Sequence, residues 1–236
     1  MFRLQGKKND VPDLMRDVFQ WDVRNWSGAA DLWAKHLKGK HQLNCLEIGS
    51  HQGGLSLWLA LQGHKILCTD LESPMLRALD LHKNYDVLDL VSYAALDALE
   101  LKEKDHYDVI IFKSVLGGVG RDERLDRQQA MIAAIYRALK PGGVLLFAEN
   151  LRASKLHQWA RKWLVNWGGS WRYPTLLEVE QLLGEFSSFE LKTAGFAGAF
   201  GRGETSRRVL SVFDQFGFNH ITRSSHRYIV FGVGVK

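Results

Sequence analysis

Five short apolar runs, Leu43–Ile48, Lys65–Thr69, Leu90–Ala95, Tyr107–Phe112 and Val144–Glu149, recur along the chain without the every-other-residue polarity of a half-exposed strand. Continuous apolar runs of this length predict strands covered on both faces. The segments between them carry helical spacing. Ile132, Ile135, Tyr136 and Leu139 make one stripe that stops at Pro141-Gly142-Gly143, and Ser73-Pro74 reads as a helix start with proline at the first helical position. Strand and helix in alternation predict a parallel sheet with right-handed crossovers. Beyond the fifth run the pattern changes. Leu156, Trp159, Ala160, Trp163 and Leu164 share a helical face, with Lys155, Arg161 and Lys162 elsewhere, so 152–165 is expected to be a basic amphipathic helix. Its expected role is a lid packed on the core by its tryptophans, with a peripheral membrane contact as the alternative. Thr175-x-x-Glu178 is a capping box opening another helix, and Phe189–Phe200 and Arg227–Val235 read as two further strands.

The first strand runs into Glu47-Ile48-Gly49-Ser50-His51-Gln52-Gly53-Gly54, an acid followed by a glycine turn that opens a helix. Backbone without a side chain lets a ligand approach closely, and the helix start aims its unpaired N–H groups into the same space. Leu67-Cys68-Thr69-Asp70 ends the second strand in a carboxylate about 20 residues further on, the spacing at which such folds offer an acid to ribose hydroxyls. The turn therefore reads as a nucleoside cradle. It is not the G-x-G-x-x-G of dinucleotide sites, because His51 stands where a middle glycine would be, and this disfavours a nicotinamide-dependent oxidoreductase.

With these motifs the chain resembles the class I S-adenosylmethionine (SAM)-dependent methyltransferases. Their usual form is acid-x-Gly-x-Gly-x-Gly after the first strand, an acid ending the second and an Asp-Ala-like pair after the third. Glu47-Ile48-Gly49, Asp70 and Asp97-Ala98 match, and Leu139-Lys140-Pro141-Gly142-Gly143 is similar to the family's turn into its fifth strand. His51 is the departure from that form. The resemblance covers roughly Leu43 to Asn150 and implies a Rossmann-like α/β fold. That fold has a seven-stranded, mostly parallel sheet with helices on both faces, its last strand antiparallel, an N-terminal helical cap and a lid helix inserted after the fifth strand.

It also implies S-adenosyl-L-methionine as cofactor and S-adenosyl-L-homocysteine (SAH) as product, held by Trp26, Glu47, Gly49, Ser50, His51, Gly53, Asp70, Leu71, Asp97, Ala98 and Lys113. Asp70 is expected to accept both ribose hydroxyls and Asp97 the adenine amino group, with Glu47 behind the turn holding backbone N–H groups or the cofactor's amino end. Phe19-Gln20-Trp21-Asp22-Val23-Arg24-Asn25-Trp26-Ser27, ahead of a helix expected to be capped by Ser27, places Trp21 and Trp26 either against the sulfonium or in plain hydrophobic packing. Lys113 ends the fourth strand. It is expected to bind an acidic acceptor or the cofactor's carboxylate, or to snorkel at the sheet edge, and as a cation it does not suit a metal site.

Methyl transfer rests on positioning and desolvation, with a base only where the acceptor must lose a proton. The candidate bases are Glu149, His157 and Tyr173. No metal is expected. The stretch after Phe112 is not the Asn/Asp-Pro-Pro-aromatic segment of enzymes that methylate base amines in DNA, so DNA is excluded as acceptor.

The chain has 236 residues and no linker or repeat, which predicts one domain over 1–236: a helical cap in 1–40, the SAM-binding core in 41–150, and an acceptor-side lid with closing strands in 151–236. The net charge is +5, and beyond Asn150 there are 12 Lys/Arg against 6 Asp/Glu, so the excess lies on the acceptor side, where Arg202, Arg207 and Arg208 either serve an anionic acceptor or are ordinary solvated charge. The polar start carries no signal-peptide core and no apolar run is long enough for a membrane span, which leads to the expectation of a cytoplasmic protein with Cys45 and Cys68 reduced. The function expected is metal-independent methylation of a small-molecule or glycan-like acceptor, at oxygen. The alternatives are a SAM-binding protein without transferase activity and, supported by charge alone, an RNA methyltransferase.

Overall fold

A computed structural model describes residues 11–164, 170–201 and 203–236. Seven strands form one sheet: β1 (Asn44–Ile48), β2 (Lys65–Asp70), β3 (Val91–Ala95), β4 (Tyr107–Lys113), β5 (Leu139–Asn150), β6 (Ser188–Ala194) and β7 (Ile229–Val235). Their order is β3-β2-β1-β4-β5-β7-β6, with β7 antiparallel to both of its neighbours. The described α-helices of four or more residues are α1 (Val11–Phe19), α2 (Val23–Trp26), α3 (Gly28–Leu37), α4 (Gly54–Ala60), α5 (Met75–Asn84), α6 (Leu116–Val119), α7 (Leu125–Ala138), α8 (Lys155–Leu164), α9 (Leu176–Leu182) and α10 (Glu204–Phe213). Among them none is long and apolar enough to cross a membrane.

Successive strand residues point to opposite faces, and in the central strands both faces are apolar. In β4, Val109 and Ile111 pack with Phe19, Trp33 and Trp58 from the α1, α3 and α4 side, while Ile110 and Phe112 pack with Met131, Ile135 and Val179 from the α7 and α9 side. This is the physical reason the runs lack alternation. The first helices are moored to the last strand: Trp33 Nε1 donates to the Gly232 carbonyl at 3.2 Å, and a Cβ on Gly28 would stand 3.2 Å from the Phe231 ring. The expected capping box at Thr175 is present, with Glu178 N–H donating to Thr175 Oγ1 and Thr175 N–H to the Glu178 carboxylate. Cys45 and Cys68 are buried free thiols.

Several expectations need correction. Ser27 is not a side-chain cap; its backbone is helical and its hydroxyl donates to the Arg24 carbonyl, so α2 runs almost directly into α3. Leu139 belongs to β5 rather than to α7, and the Pro-Gly-Gly segment is taken up as a register shift between the Tyr107 and Val109 pairings. β6 stops at Ala194, before Gly195 with φ +78°, instead of reaching Phe200. α10, with the π-helical turn Asp214–Phe218 after it, was not anticipated. α8 is present, but Leu156 and Trp159 are 51% and 62% exposed while His157 is buried, so Trp159 does not pack it onto the core. The side chains of Ala160, Arg161, Lys162, Trp163 and Leu164 lie outside the described residues, as does Arg202.

Candidate active site

The turn after β1 is built on left-handed backbone. Gly49 (φ +67°), His51 (φ +51°) and Gly53 (φ +74°) carry the chain from the sheet into α4. A Cβ on Gly49 would lie 2.6 Å from Val115, and one on Gly53 2.7 Å from the His82 ring, so both positions require glycine for space as well as for φ. Ser50 N–H ties the turn to β2 by donating to the Thr69 carbonyl at 2.8 Å. Asp70 closes it from the end of β2, where its carboxylate accepts from His51 N–H (2.9 Å), Leu71 N–H (2.8 Å) and Arg77 Nη2 (3.3 Å). Arg77 also donates through Nε to the His51 carbonyl at 3.2 Å, and His51 Nδ1 lies 3.1 Å from Gln20 Oε1.

His82 is a part of this turn that sequence reasoning missed. Fully buried, it donates Nε2–H to the Gly53 carbonyl at 2.9 Å and accepts at Nδ1 from the Tyr93 hydroxyl at 2.6 Å. Burial lowers its pKa and so favours the neutral ring that this pairing needs. A lone histidine on a helix carries no sequence signal of such a partner.

Glu47 is buried in β1 and accepts from Ser56 N–H at 2.8 Å and from the Ser56 hydroxyl, so it braces α4 from within. Burial pushes its carboxyl up to about 7. Ala98 is buried, while Asp97 is exposed beyond β3 and caps a short turn by accepting from Leu99 N–H at 2.9 Å. Leu96 N–H donates to the Asp70 carbonyl at 2.8 Å, which brings this loop beside the acid, and Leu71 stands next to it 72% exposed.

Lys113, at the end of β4, lies in a corner made by two indoles. Its Nζ is 4.9 Å from the ring centroids of both Trp21 and Trp26, which meet edge to face at 5.3 Å and 73°. Behind them is a buried polar cluster. Asn25 Nδ2 donates to Asp22 (3.2 Å), to Asp214 (3.1 Å) and to Tyr228 Oη (2.9 Å), and the Tyr228 hydroxyl donates to Asp22. Asp214 in turn accepts from Ala197 N–H (2.6 Å) and Gly198 N–H (2.9 Å), fixing the segment before α10 against the N-terminal cap.

Residues 46–145 match the family model described as "Methyltransferase domain". The match covers 100 of the 236 residues, so it shows what this core is similar to. No curated protein matches the chain in sequence. Among solved structures, it is similar to Haemonchus contortus phosphoethanolamine N-methyltransferase 2 in complex with SAM, at 18% identity and a TM-score of 0.62 over 96% of this chain and 58% of that one. In a second structure of that enzyme the match spans 52% of its length, so the chain corresponds to little more than half of it. The N-methyltransferase NodS of Bradyrhizobium japonicum matches at 16% identity and a TM-score of 0.57, over 89% of this chain and 95% of that one. The cyclase SpnF matches at 16% identity and a TM-score of 0.58, over 87% of this chain and 78% of that one. At these identities the likeness is one of fold.

Within this core and its flanks, the three candidate bases stand apart. The Glu149 carboxylate accepts from Val115 N–H (2.8 Å), Leu116 N–H (2.7 Å) and Asn150 N–H (2.8 Å), which makes it the cap of α6, and burial raises its pKa to about 7. His157 is buried among Phe196, Phe200 and Tyr228, with Nε2 on the Phe196 carbonyl (2.8 Å) and Nδ1 on Ser154 Oγ (2.7 Å). Tyr173 lies against Trp171, whose ring covers Gly117 in α6. Among the described residues no group of three or more His, Cys, Asp or Glu is arranged to hold a metal ion.

Proposed function

We propose that the protein transfers a methyl group from SAM to a small-molecule or glycan-like acceptor, at oxygen and without a metal ion. One observation carries this reading: the Gly49 turn and the Asp70 carboxylate are drawn together by His51 N–H, with glycine required at both ends of the turn. The chemistry of the site fits the cofactor. Trp26 Nε1 and Ser50 Oγ, on two of the residues assigned to it, are buried polar atoms without a partner among the described residues, as expected where a polar ligand completes the bonding.

Asp70 would hold the ribose hydroxyls, the Gly49 turn the methionine end and Leu71 the face of the adenine. When bound, SAM supplies an electrophilic methyl on a positively charged sulfur. The chain's own contribution is to orient and to exclude water: Glu149 fixes the Lys113–Leu116 loop, and the α1–α2 cap covers Lys113. A second reading, SAM binding without methyl transfer, is favoured by the way Trp21, Trp26 and Lys113 fill this corner.

Thermal melting separates these readings from a nucleotide-dependent redox enzyme. SAM and SAH should raise the melting temperature while NAD and NADP leave it unchanged, because a ligand that binds only the native state stabilises it. A shift with NAD alone overturns the assignment. Transfer of label from methyl-labelled SAM to a panel of hydroxyl and amine acceptors then distinguishes enzyme from binding protein and identifies the methylated atom.

A further inference from the structure

The Trp21/Trp26 corner already holds a cation. The Lys113 ammonium faces both rings at 4.9 Å, and among the described residues it has no hydrogen-bond or ion-pair partner. Ring faces attract it, and Glu149 at the end of β5, Asp22 ahead of α2 and Glu47 in β1 act on it through their charge. Arg207 of α10 lies over the Trp21 ring at 5.6 Å. The parallel pairing of β1 with β4 sets Ile48 beside Phe112, so Lys113 stands alongside Gly49, the first residue of the cradle. The ammonium thus occupies the meeting point of the glycine turn, the N-terminal cap and the acceptor-side elements.

SAM is charged at sulfur, and SAH, which lacks the methyl, is neutral there. Resting on the SAM reading above, we propose that Lys113 sets the preference of the site between the two. Its ammonium and a sulfonium draw on the same tryptophan corner and the same carboxylates, so the lysine weakens binding of the charged cofactor and leaves the neutral product untouched. Two unit charges about 5 Å apart at an effective dielectric of about 20 repel strongly enough to change a binding constant more than tenfold. Desolvation already pushes the Lys113 ammonium down to about 8, so the corner is unwelcoming to one positive charge before a second arrives.

Calorimetric dissociation constants for SAM and SAH, measured at pH 7 on the wild type and on Lys113→Met, Lys113→Gln and Lys113→Arg, test this. Each neutral variant should tighten SAM by about tenfold or more while SAH stays within about twofold, and the arginine variant should keep the wild-type ratio. The glutamine variant serves if the methionine variant does not fold. A SAM-to-SAH ratio unchanged in a folded neutral variant, or an equal gain for both ligands, overturns the proposal while the SAM reading stands. A folded wild type that binds neither ligand overturns both.

Discussion

Asp22 shows how much one side chain does here. It sits in left-handed backbone (φ 46°), is 2% exposed and accepts from Asn25 and Tyr228, and burial raises its carboxyl from 3.8 to about 7. The folded chain therefore binds a proton that the unfolded chain releases. Stability from this group is fully present below about pH 4 and is lost as pH rises through about 7, and Glu47 and Glu149, both raised from 4.5 to about 7, act in the same direction. We expect the urea midpoint to fall between pH 5 and pH 7.5 by an amount that Asp22→Asn reduces, since asparagine tolerates the left-handed backbone but does not titrate. An equal fall in both proteins would remove Asp22 from the account. At this scale the sequence was readable where a motif fixes the neighbour, as for Gly49 and Asp70. It was silent where the partner is distant: Asp22 and Tyr228 are 206 residues apart, and nothing local to either announces the other.

At the scale of elements, the five parallel strands were legible because both faces of the sheet are covered, which forces continuous apolar runs. α10 was not, because it is inverted: Ser211 and Asp214 are buried on its inner side and in the turn that follows, while Val209, Phe213 and Phe216 face outward. The rule that apolar residues face the core misleads on such a helix, and the Asp214 bonds to Ala197, Gly198 and Asn25, with Arg207 on Trp21, account for the way it docks. The turn before α4 offers a sharper test. Gly49→Ala should cost about 1–3 kcal/mol from crowding against Val115, on top of about 1–2 kcal/mol of left-handed strain, and should abolish SAM binding. Gly63, at φ +82° with nothing within 4 Å of an added Cβ, provides the control, and Gly63→Ala should show the strain alone. Equal destabilisation of the two in denaturant titrations would mean that Val115 yields freely.

For the whole molecule, charge and connectivity decide most. The positive excess beyond Asn150 is real, yet its parts differ: Arg207 is half-buried on Trp21 with Nε on the Gly201 carbonyl, whereas Arg208 and Arg223 are exposed. Reversing the exposed pair with Arg208→Glu and Arg223→Glu should raise the acceptor KM and flatten its salt dependence while leaving the SAM dissociation constant unchanged. Wild-type kinetics of that variant at low salt would mark these arginines as solvated surface. Connectivity has a further consequence, in the order in which the chain is made. The cap over Lys113 is held by Asn25 on Tyr228 and by Trp33 on Gly232, contacts that span 203 and 199 residues. A ribosome must therefore release β7 before these two ties can form, although α1 and α3 can already pack on α4 and β4, and β1, α4 and β2 emerge early enough to assemble the glycine turn. A nascent chain halted before Tyr228 carries the glycine turn complete but the first helices without their ties to β7, so the two-tryptophan corner is among the last parts of the protein to be fixed in place.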